Sequence, residues 1–281
     1  MEPQLQQIRE QQKQSWNKFS PGWKKWDAFN MDFLKPMGDA IIESLHIHTT
    51  DHVLDIAAGT GEPGLSIAAI ASKGKVTGID VAEDMLAIAR GNAVTRGLSN
   101  YDTLVADICE LPFQQEAFDA ISCRMGFMFF PDMQLAANEM YRVLKPGGRL
   151  ATAVWSVPAQ NDWVTVIMSV IGKHIPMPPP VPGAPGMFRC GAPGLIANIL
   201  KQAGFKNIKE SEIVSKVDYK SFDLYWEMML EVGAPIVAAM AGASQATVNT
   251  IKTEVEELFK SKNPDGGALL NFGALVIYGE K

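Results

Sequence analysis

One run of residues constrains this chain more than any other: Val53-Leu54-Asp55-Ile56-Ala57-Ala58-Gly59-Thr60-Gly61-Glu62-Pro63-Gly64. An apolar stretch suited to a buried strand runs into a glycine-rich turn, and residues 62–71 carry helical spacing. Val76 to Ile79 then form a second apolar strand that ends on a carboxylate, Asp80. Strand, glycine turn, helix and strand make the first unit of a parallel sheet. Glycines let a ligand approach the backbone closely. An acid at the next strand end can accept from both hydroxyls of a ribose, so the pattern points to an adenosine-containing ligand. Gly59, Gly61 and Gly64 match G-x-G-x-x-G literally, with Asp80 nineteen residues after Gly61. A nicotinamide dehydrogenase would present the same two features.

The rest of the chain repeats the alternation. Strands are expected at 52–56, 75–80, 102–106, 118–122 and 148–155, with helices at 62–71, 82–96 and 133–144. Residues 1–19 read as a polar helix broken by Ser20-Pro21-Gly22, and 23–45 as a second helix. Beyond Trp155, a helix at 161–175 meets the run Pro176-Met177-Pro178-Pro179-Pro180-Val181-Pro182-Gly183-Ala184-Pro185-Gly186, which reads as a loop over a cleft because proline lacks the backbone donor and fixes φ. A helix at 193–203 capped by Gly204, a strand region at 206–217, a helical insert at 222–260 and a last strand at 271–279 complete the reading.

Bulk properties narrow the function. The chain has 281 residues, 47% of them hydrophobic, enough for one large domain with insertions. A net charge of -6 without a basic run disfavours a nucleic-acid partner. The start is rich in glutamine and charge, unlike a signal peptide, and the most apolar window, 234–243, is too short for a membrane span. Cys109, Cys123 and Cys190 form no metal-ligand or disulfide spacing, so no metal and a reducing cytoplasm are expected.

Two later blocks separate a dehydrogenase from its rival. Val105-Ala106-Asp107-Ile108 puts an acid at the end of strand three, and Arg142-Val143-Leu144-Lys145-Pro146-Gly147-Gly148-Arg149-Leu150 joins a helix to strand five. With residues 53–64, 76–86 and 118–132, the chain resembles the class I S-adenosylmethionine-dependent methyltransferases, of the type containing the ubiquinone and menaquinone C-methyltransferases. The resemblance implies a Rossmann-like, doubly wound α/β sheet of seven strands in the order 3-2-1-4-5-7-6, strand seven antiparallel. It implies an N-terminal helical lid, 1–45, on a cofactor-binding domain, 46–281, with cap insertions near 158–192 and 220–264. It also implies S-adenosyl-L-methionine as cofactor and S-adenosyl-L-homocysteine as product.

In that setting the helix after the glycine turn offers its positive end to the cofactor carboxylate. Asp55 and the Ala57 carbonyl face the amine, with Gly59, Thr60 and Gly61 forming the cradle. Asp80 accepts from the ribose, Val81 and Met85 cover the adenine, and Asp107 and Ile108 recognise its edge. Arg124, a charge in an apolar run, pairs with the cofactor carboxylate or with an acid such as Glu139. The acceptor side is expected from Trp23, Met125, Met128, Phe129, Trp155 and Trp163, with Asn161 and Asp162 near the last two. Its apolar, methionine-rich loop suits a flat ligand. The helical insert around Tyr219, Tyr225 and Trp226 is expected to cap this pocket. The quinone enzymes usually carry Phe-Gly-Leu-Arg-Asn in that loop. Here Gly126 matches the glycine, while Met128 and Phe129 replace Arg-Asn. No Asn-Pro-Pro-Tyr or Asp-Pro-Pro-Tyr tetrapeptide is present, which argues against adenine-amine and glutamine-amide acceptors. His174 is the one candidate base. The expected reaction is methyl transfer to a small, largely apolar metabolite, by a monomer or homodimer. An RNA or protein methyltransferase, a nicotinamide oxidoreductase and a non-catalytic cofactor-binding protein are the alternatives.

Overall fold

A computed structural model describes residues 3–177 and 183–281. The middle of the proline run, residues 178–182, lies outside the described residues, and with it the loop expected there. Two helices come first, α1 (Pro3–Lys25) and α2 (Asp27–Leu45). Five strands with crossovers follow: β1 (His52–Ile56), α3 (Gly64–Ile70), β2 (Lys75–Asp80), α4 (Glu83–Thr95), β3 (Tyr101–Val105), β4 (Phe118–Arg124), α5 (Met133–Val143) and β5 (Leu144–Trp155). The last part holds α6 (Asp162–His174), α7 (Leu195–Ala203), β6 (Lys206–Asp218), α8 (Phe222–Val232), α9 (Ala234–Met240), α10 (Gln245–Lys262) and β7 (Leu269–Glu280).

The seven strands lie in the order β3-β2-β1-β4-β5-β7-β6. β1 pairs in parallel with β2 and β4, and β7 runs antiparallel to both β5 and β6. This is the order and sense expected from the resemblance. β1, β2 and β4 are almost continuously buried because both of their faces are covered by helices. All five parallel strands point the same way, so the turns after β1, β2, β3 and β4 gather at one edge of the sheet.

Two boundaries differ from the sequence reading. α1 does not break at Pro21 but runs on to Lys25, turning at Trp26. Proline at 21 cannot bond the Asn17 carbonyl, and the Ser20 hydroxyl takes that carbonyl at 2.9 Å, so the freed group is satisfied and the helix continues. β5 begins at Leu144 rather than Gly148, with an irregular register against Phe118 and Ala120.

α2 is not a detached cover. Its Phe33, Leu34, Met37, Ile41 and Leu45 are buried in the core. Phe33 sits among Trp155, Trp163 and Phe272, with ring centroids 5.6, 5.4 and 5.1 Å away. Trp155 and Trp163 are themselves 4.9 Å apart, and the Trp163 indole nitrogen donates to Asn161 Oδ1 at 3.0 Å. Asn161 is fully buried and also accepts from the Gly273 amide, stitching the start of α6 to β7. This aromatic cluster is what lets an N-terminal helix become part of the sheet's core. Trp163→Ala is therefore expected to cost about 3–5 kcal/mol of folding stability, measured by denaturant unfolding. A loss below roughly 1 kcal/mol, the scale of a surface change, would refute the core assignment.

Candidate active site

The site is built from the strand ends outward. Asp55, the fourth residue of β1, is fully buried. It accepts from the Ser122 hydroxyl of β4 at 2.7 Å and from the Gly64 amide of α3 at 3.1 Å. Gly64 is glycine by necessity: a Cβ there would come within 2.5 Å of Asp55 Oδ2 and 2.9 Å of the Tyr101 ring. Burial pushes the Asp55 carboxyl up to about 7, against the pull of the Ser122 hydroxyl and the positive Arg124.

The turn so anchored passes through left-handed backbone at Ala57 (φ 55) and Gly59 (φ 53). A non-glycine residue in that region stores roughly 1–3 kcal/mol of strain, held here by the surrounding bonds. The Gly59 amide donates to Asp80 Oδ2 at 3.0 Å, and the Ala82 amide donates to Oδ1 at 3.0 Å. Asp80 thus stands at the end of β2, each oxygen holding one amide and keeping a lone pair. Burial raises its carboxyl above the ordinary value, and the backbone amides of Ala82, Gly59 and Val81 oppose that rise.

Beyond these strand ends lies a cavity with about 960 Å³ of empty space, including its open mouth. Its polar lining comes from Gly59, Thr60, Asp80, Asp107 and Arg124, with Val81, Met85 and Ile108 also on the wall. Its apolar lining comes from Trp16, Trp23, Met31, Met125, Phe129 and Phe130. Two left-handed residues flank it, since Met125 (φ 60) joins Ala57 in that class. The Thr60 hydroxyl and the Trp23 indole nitrogen are buried at this cavity without a hydrogen-bond partner. Arg124 is half-buried with only long contacts, 3.4 Å to the Leu34 carbonyl and 3.6 Å to Met31 sulfur. Burial pulls its guanidinium down, while Glu62, Asp55 and Asp27 favour the charge. These are donors without full partners, set where an anionic ligand group would complete them.

Of the residues expected from the sequence, the structure brings Ala57, Gly59, Thr60, Asp80, Val81, Met85, Asp107, Ile108, Arg124, Trp23, Met125 and Phe129 to this one cavity. Others lie elsewhere. Met128 is fully buried in a 3-10 turn, residues Phe127–Phe129, where the side chain points into the core and its carbonyl accepts from Gly186. Trp155 and Trp163 belong to the Phe33 cluster and line no part of the cavity. Asp162 is tied to Lys262 and Asn271, at 2.8 Å each. Asp55 and Gly61 lie beneath the turn, not along its cavity face. His174 ends α6 and pairs with Glu254 of α10 at 2.7 Å, away from the cavity. Glu139 is taken by Arg142 at 2.7 Å and is no partner of Arg124. The helical insert packs around its own aromatic core of Tyr219, Phe222, Tyr225 and Phe259 and does not line the cavity.

The start of α3 differs too. Its free amides are already used: Gly64 donates to Asp55 and Ser66 to Glu62, so the helix end does not face a ligand carboxylate. The sequence reading missed Arg9 and Gln12, which line the cavity from α1 beside Trp16. The signal was present, because positions 9, 12, 16 and 23 share one helical face. The described residues hold no cluster of three or more histidine, cysteine or acidic groups fit for a metal, and none of their helices is long and apolar enough to cross a membrane.

The Asp55 carboxyl gives a test with a definite sign. Its folded value, about 7, lies above the unfolded range, so the folded state holds an extra proton between roughly pH 4 and 7, and stability falls as pH rises through that window. Asp55→Asn removes this titration. The variant is expected to gain on the parent in thermal stability from about pH 5 to about pH 8. A difference that stays constant over that range would sink the assignment.

Comparison with known proteins follows the same blocks. The methyltransferase domain family matches residues 53–148. A demethylmenaquinone methyltransferase of Thermus thermophilus is 45% identical over 124 residues, 44% of this chain and 56% of that protein. A demethylmenaquinone methyltransferase of Listeria monocytogenes is 30% identical over 181 residues, 59% of this chain and 74% of that protein. Among solved structures, the YcgJ protein of Bacillus subtilis aligns with a TM-score of 0.59 at 18% identity, over 87% of this chain and 97% of that one, a likeness of fold.

Proposed function

The chain belongs to the class I S-adenosylmethionine-dependent methyltransferases of the quinone C-methyltransferase type, and on that premise we propose that it methylates a small, flat, largely apolar acceptor of the quinol or phenol class, at carbon or oxygen. The observation that carries this reading is a cavity whose wall is partly polar and partly aromatic and apolar. A polar cradle at the ends of β1, β2 and β3 meets a wall of Trp16, Trp23, Met125 and Phe129.

The residues present fit the cofactor. Asp80 offers two lone pairs to the ribose hydroxyls, and its charge would repel a 2'-phosphate. Val81, Met85 and Ile108 supply apolar faces for the adenine, and Asp107 an acceptor for its amino group. Thr60 and Arg124, both short of partners, suit the carboxylate. When bound, S-adenosylmethionine supplies a methyl group already activated by its positive sulfur, leaving S-adenosylhomocysteine.

The protein's own task is then alignment and exclusion of water. Trp16 meets Phe129 edge-on at 5.3 Å and Trp23 at 6.0 Å, closing an aromatic wall that would flank both the acceptor and the sulfonium. No histidine lines the cavity among the described residues, and burial pushes the nearby Cys123 thiol up to about 12. The conjugated hydroxyl of a quinol or phenol is acidic by itself and so asks for no strong base. A guanidinium still reaches the cavity although Met128 replaces the arginine usual in quinone enzymes, because Arg124 supplies one from four residues earlier. The three cysteines, all buried and unpaired, fit a cytoplasmic setting.

The test has two stages. Thermal shift with S-adenosylmethionine, S-adenosylhomocysteine and NADH is expected to show stabilisation by the first two alone; stabilisation by NADH alone would overturn the reading. Labelled methyl transfer to a reduced naphthoquinone, a catechol and a short RNA is then expected to label the first two classes and not the RNA. Labelling of RNA alone would refute the acceptor class. Asp80→Ala is expected to weaken cofactor binding by roughly 1.5–3 kcal/mol in calorimetry, the range for hydrogen bonds to a charged group. Unchanged affinity would remove the ribose role.

A further inference from the structure

The acid that would recognise the adenine is already held by the helix above it. Arg9 Nη1 donates to Asp107 Oδ2 at 3.0 Å, while Asp107 Oδ1 accepts from the Cys109 amide at 3.0 Å. The Asp107 side chain is 8% exposed and that of Arg9 31%. A carboxylate so sheltered needs a counter-charge, and Arg9 supplies it from the far side of the cavity mouth.

The two halves of α1 are held differently. The second half is clamped: Lys25 reaches Glu227 at 2.6 Å and Glu231 at 2.8 Å, and the Trp26 indole donates to Glu231 at 2.6 Å. Gly22 lies so close to α8 that a Cβ would come within 2.1 Å of the Glu231 carbonyl. Asn17 accepts from the Asp84 amide at 3.1 Å. For residues 4–16, the Arg9–Asp107 pair is the one polar link beyond the helix among the described residues. Arg9 and Gln12 line the cavity from that half, with Trp16 one turn further on.

We propose that Arg9 is a positioning residue that latches the first half of α1 across the adenine end of the cavity through Asp107, and so sets how fast the cofactor leaves. The proposal rests on the cofactor reading above. A carboxylate oxygen has two lone pairs, so Asp107 can keep Arg9 while accepting from an adenine amino group. The ligand then lies beneath a helix whose release requires breaking a sheltered ion pair. The pair joins α1 to the loop after β3, and no other residue of α1 reaches an acid at that end.

Release of S-adenosylhomocysteine from the full chain, followed by stopped-flow tryptophan fluorescence, tests this. Arg9→Ala is expected to speed release roughly tenfold, the scale of one hydrogen bond to a charged group, and Arg9→Lys to recover part of the loss. In an Asp107→Asn background, adding Arg9→Ala is expected to change release no further. Release at the parental rate in Arg9→Ala, or an equal effect in both backgrounds, overturns the latch. Amide exchange in the ligand-free chain supplies an independent readout. Arg9→Ala should speed exchange in residues 4–16 and leave 17–25 as they were, and unchanged exchange in 4–16 also overturns it. Should the parent fail to bind S-adenosylhomocysteine, the cofactor reading falls, and the exchange measurement alone decides the latch.

Discussion

The site depends on one buried carboxylate. Asp55 gives up its hydration entirely and is compensated by the Ser122 hydroxyl, the Gly64 amide and the nearby positive charge of Arg124. Those bonds tie β1 to β4 on one side and to the start of α3 on the other. The turn between them has little freedom left. Its exit is pinned at Gly64, its left-handed residue at Ala57 is held, and the Ala58 amide is bonded to the Ile79 carbonyl at 3.0 Å. Only from that fixed turn can Gly59 reach Asp80. The orientation of Asp80 at the end of β2 is thus inherited from an acid on β1 that lies beneath the cavity.

This inheritance explains which parts of the site could be read from the sequence. Gly59, Asp80, Asp107 and Arg124 sit at strand ends, and strand ends are visible as places where an apolar run meets a glycine or an acid. Their convergence follows from the parallel sheet, because every crossover returns the chain to the same edge. Asp55 was visible as a residue but not as a role. It stands inside the apolar run, where side chains alternate between faces, and a shift of one position separates the cavity from the core beneath it. Its pairing with Ser122 depends on the register of β1 against β4, which no local pattern specifies.

The acceptor side was less legible for a related reason. Met125, Met128 and Phe129 form one apolar loop, and composition alone cannot say which way each side chain turns. A 3-10 turn at Phe127–Phe129 sends Met128 into the core and leaves Phe129 at the wall. Trp155 and Trp163 follow the last parallel strand, a position that suggests ligand contact, but Phe33 of α2 covers them. Covering by an element more than a hundred residues earlier in the chain is a tertiary fact. The α1 stripe of Arg9, Gln12, Trp16 and Trp23 was hidden in part: Trp23 was expected at the site, while Arg9 and Gln12 read only as part of a polar helix. Its members are two polar side chains and two indoles, so no hydrophobic periodicity marks them, although their spacing is helical.

The two N-terminal helices therefore divide the work of closing the site. α2 is bonded into the sheet through its aromatic cluster and behaves as fixed scaffold, while α1 touches the cavity with its side chains and is anchored firmly only at its far end. A cavity shut on all sides by core packing could not exchange a ligand the size of a nucleoside, and one open on α1's side would leave the sulfonium in water. A helix clamped at one end by Glu231 and held at the other by a single ion pair satisfies both demands. With the proposed latch, the opening that exchange requires is confined to one half of one helix, and the rigid geometry that methyl transfer requires is kept in the sheet.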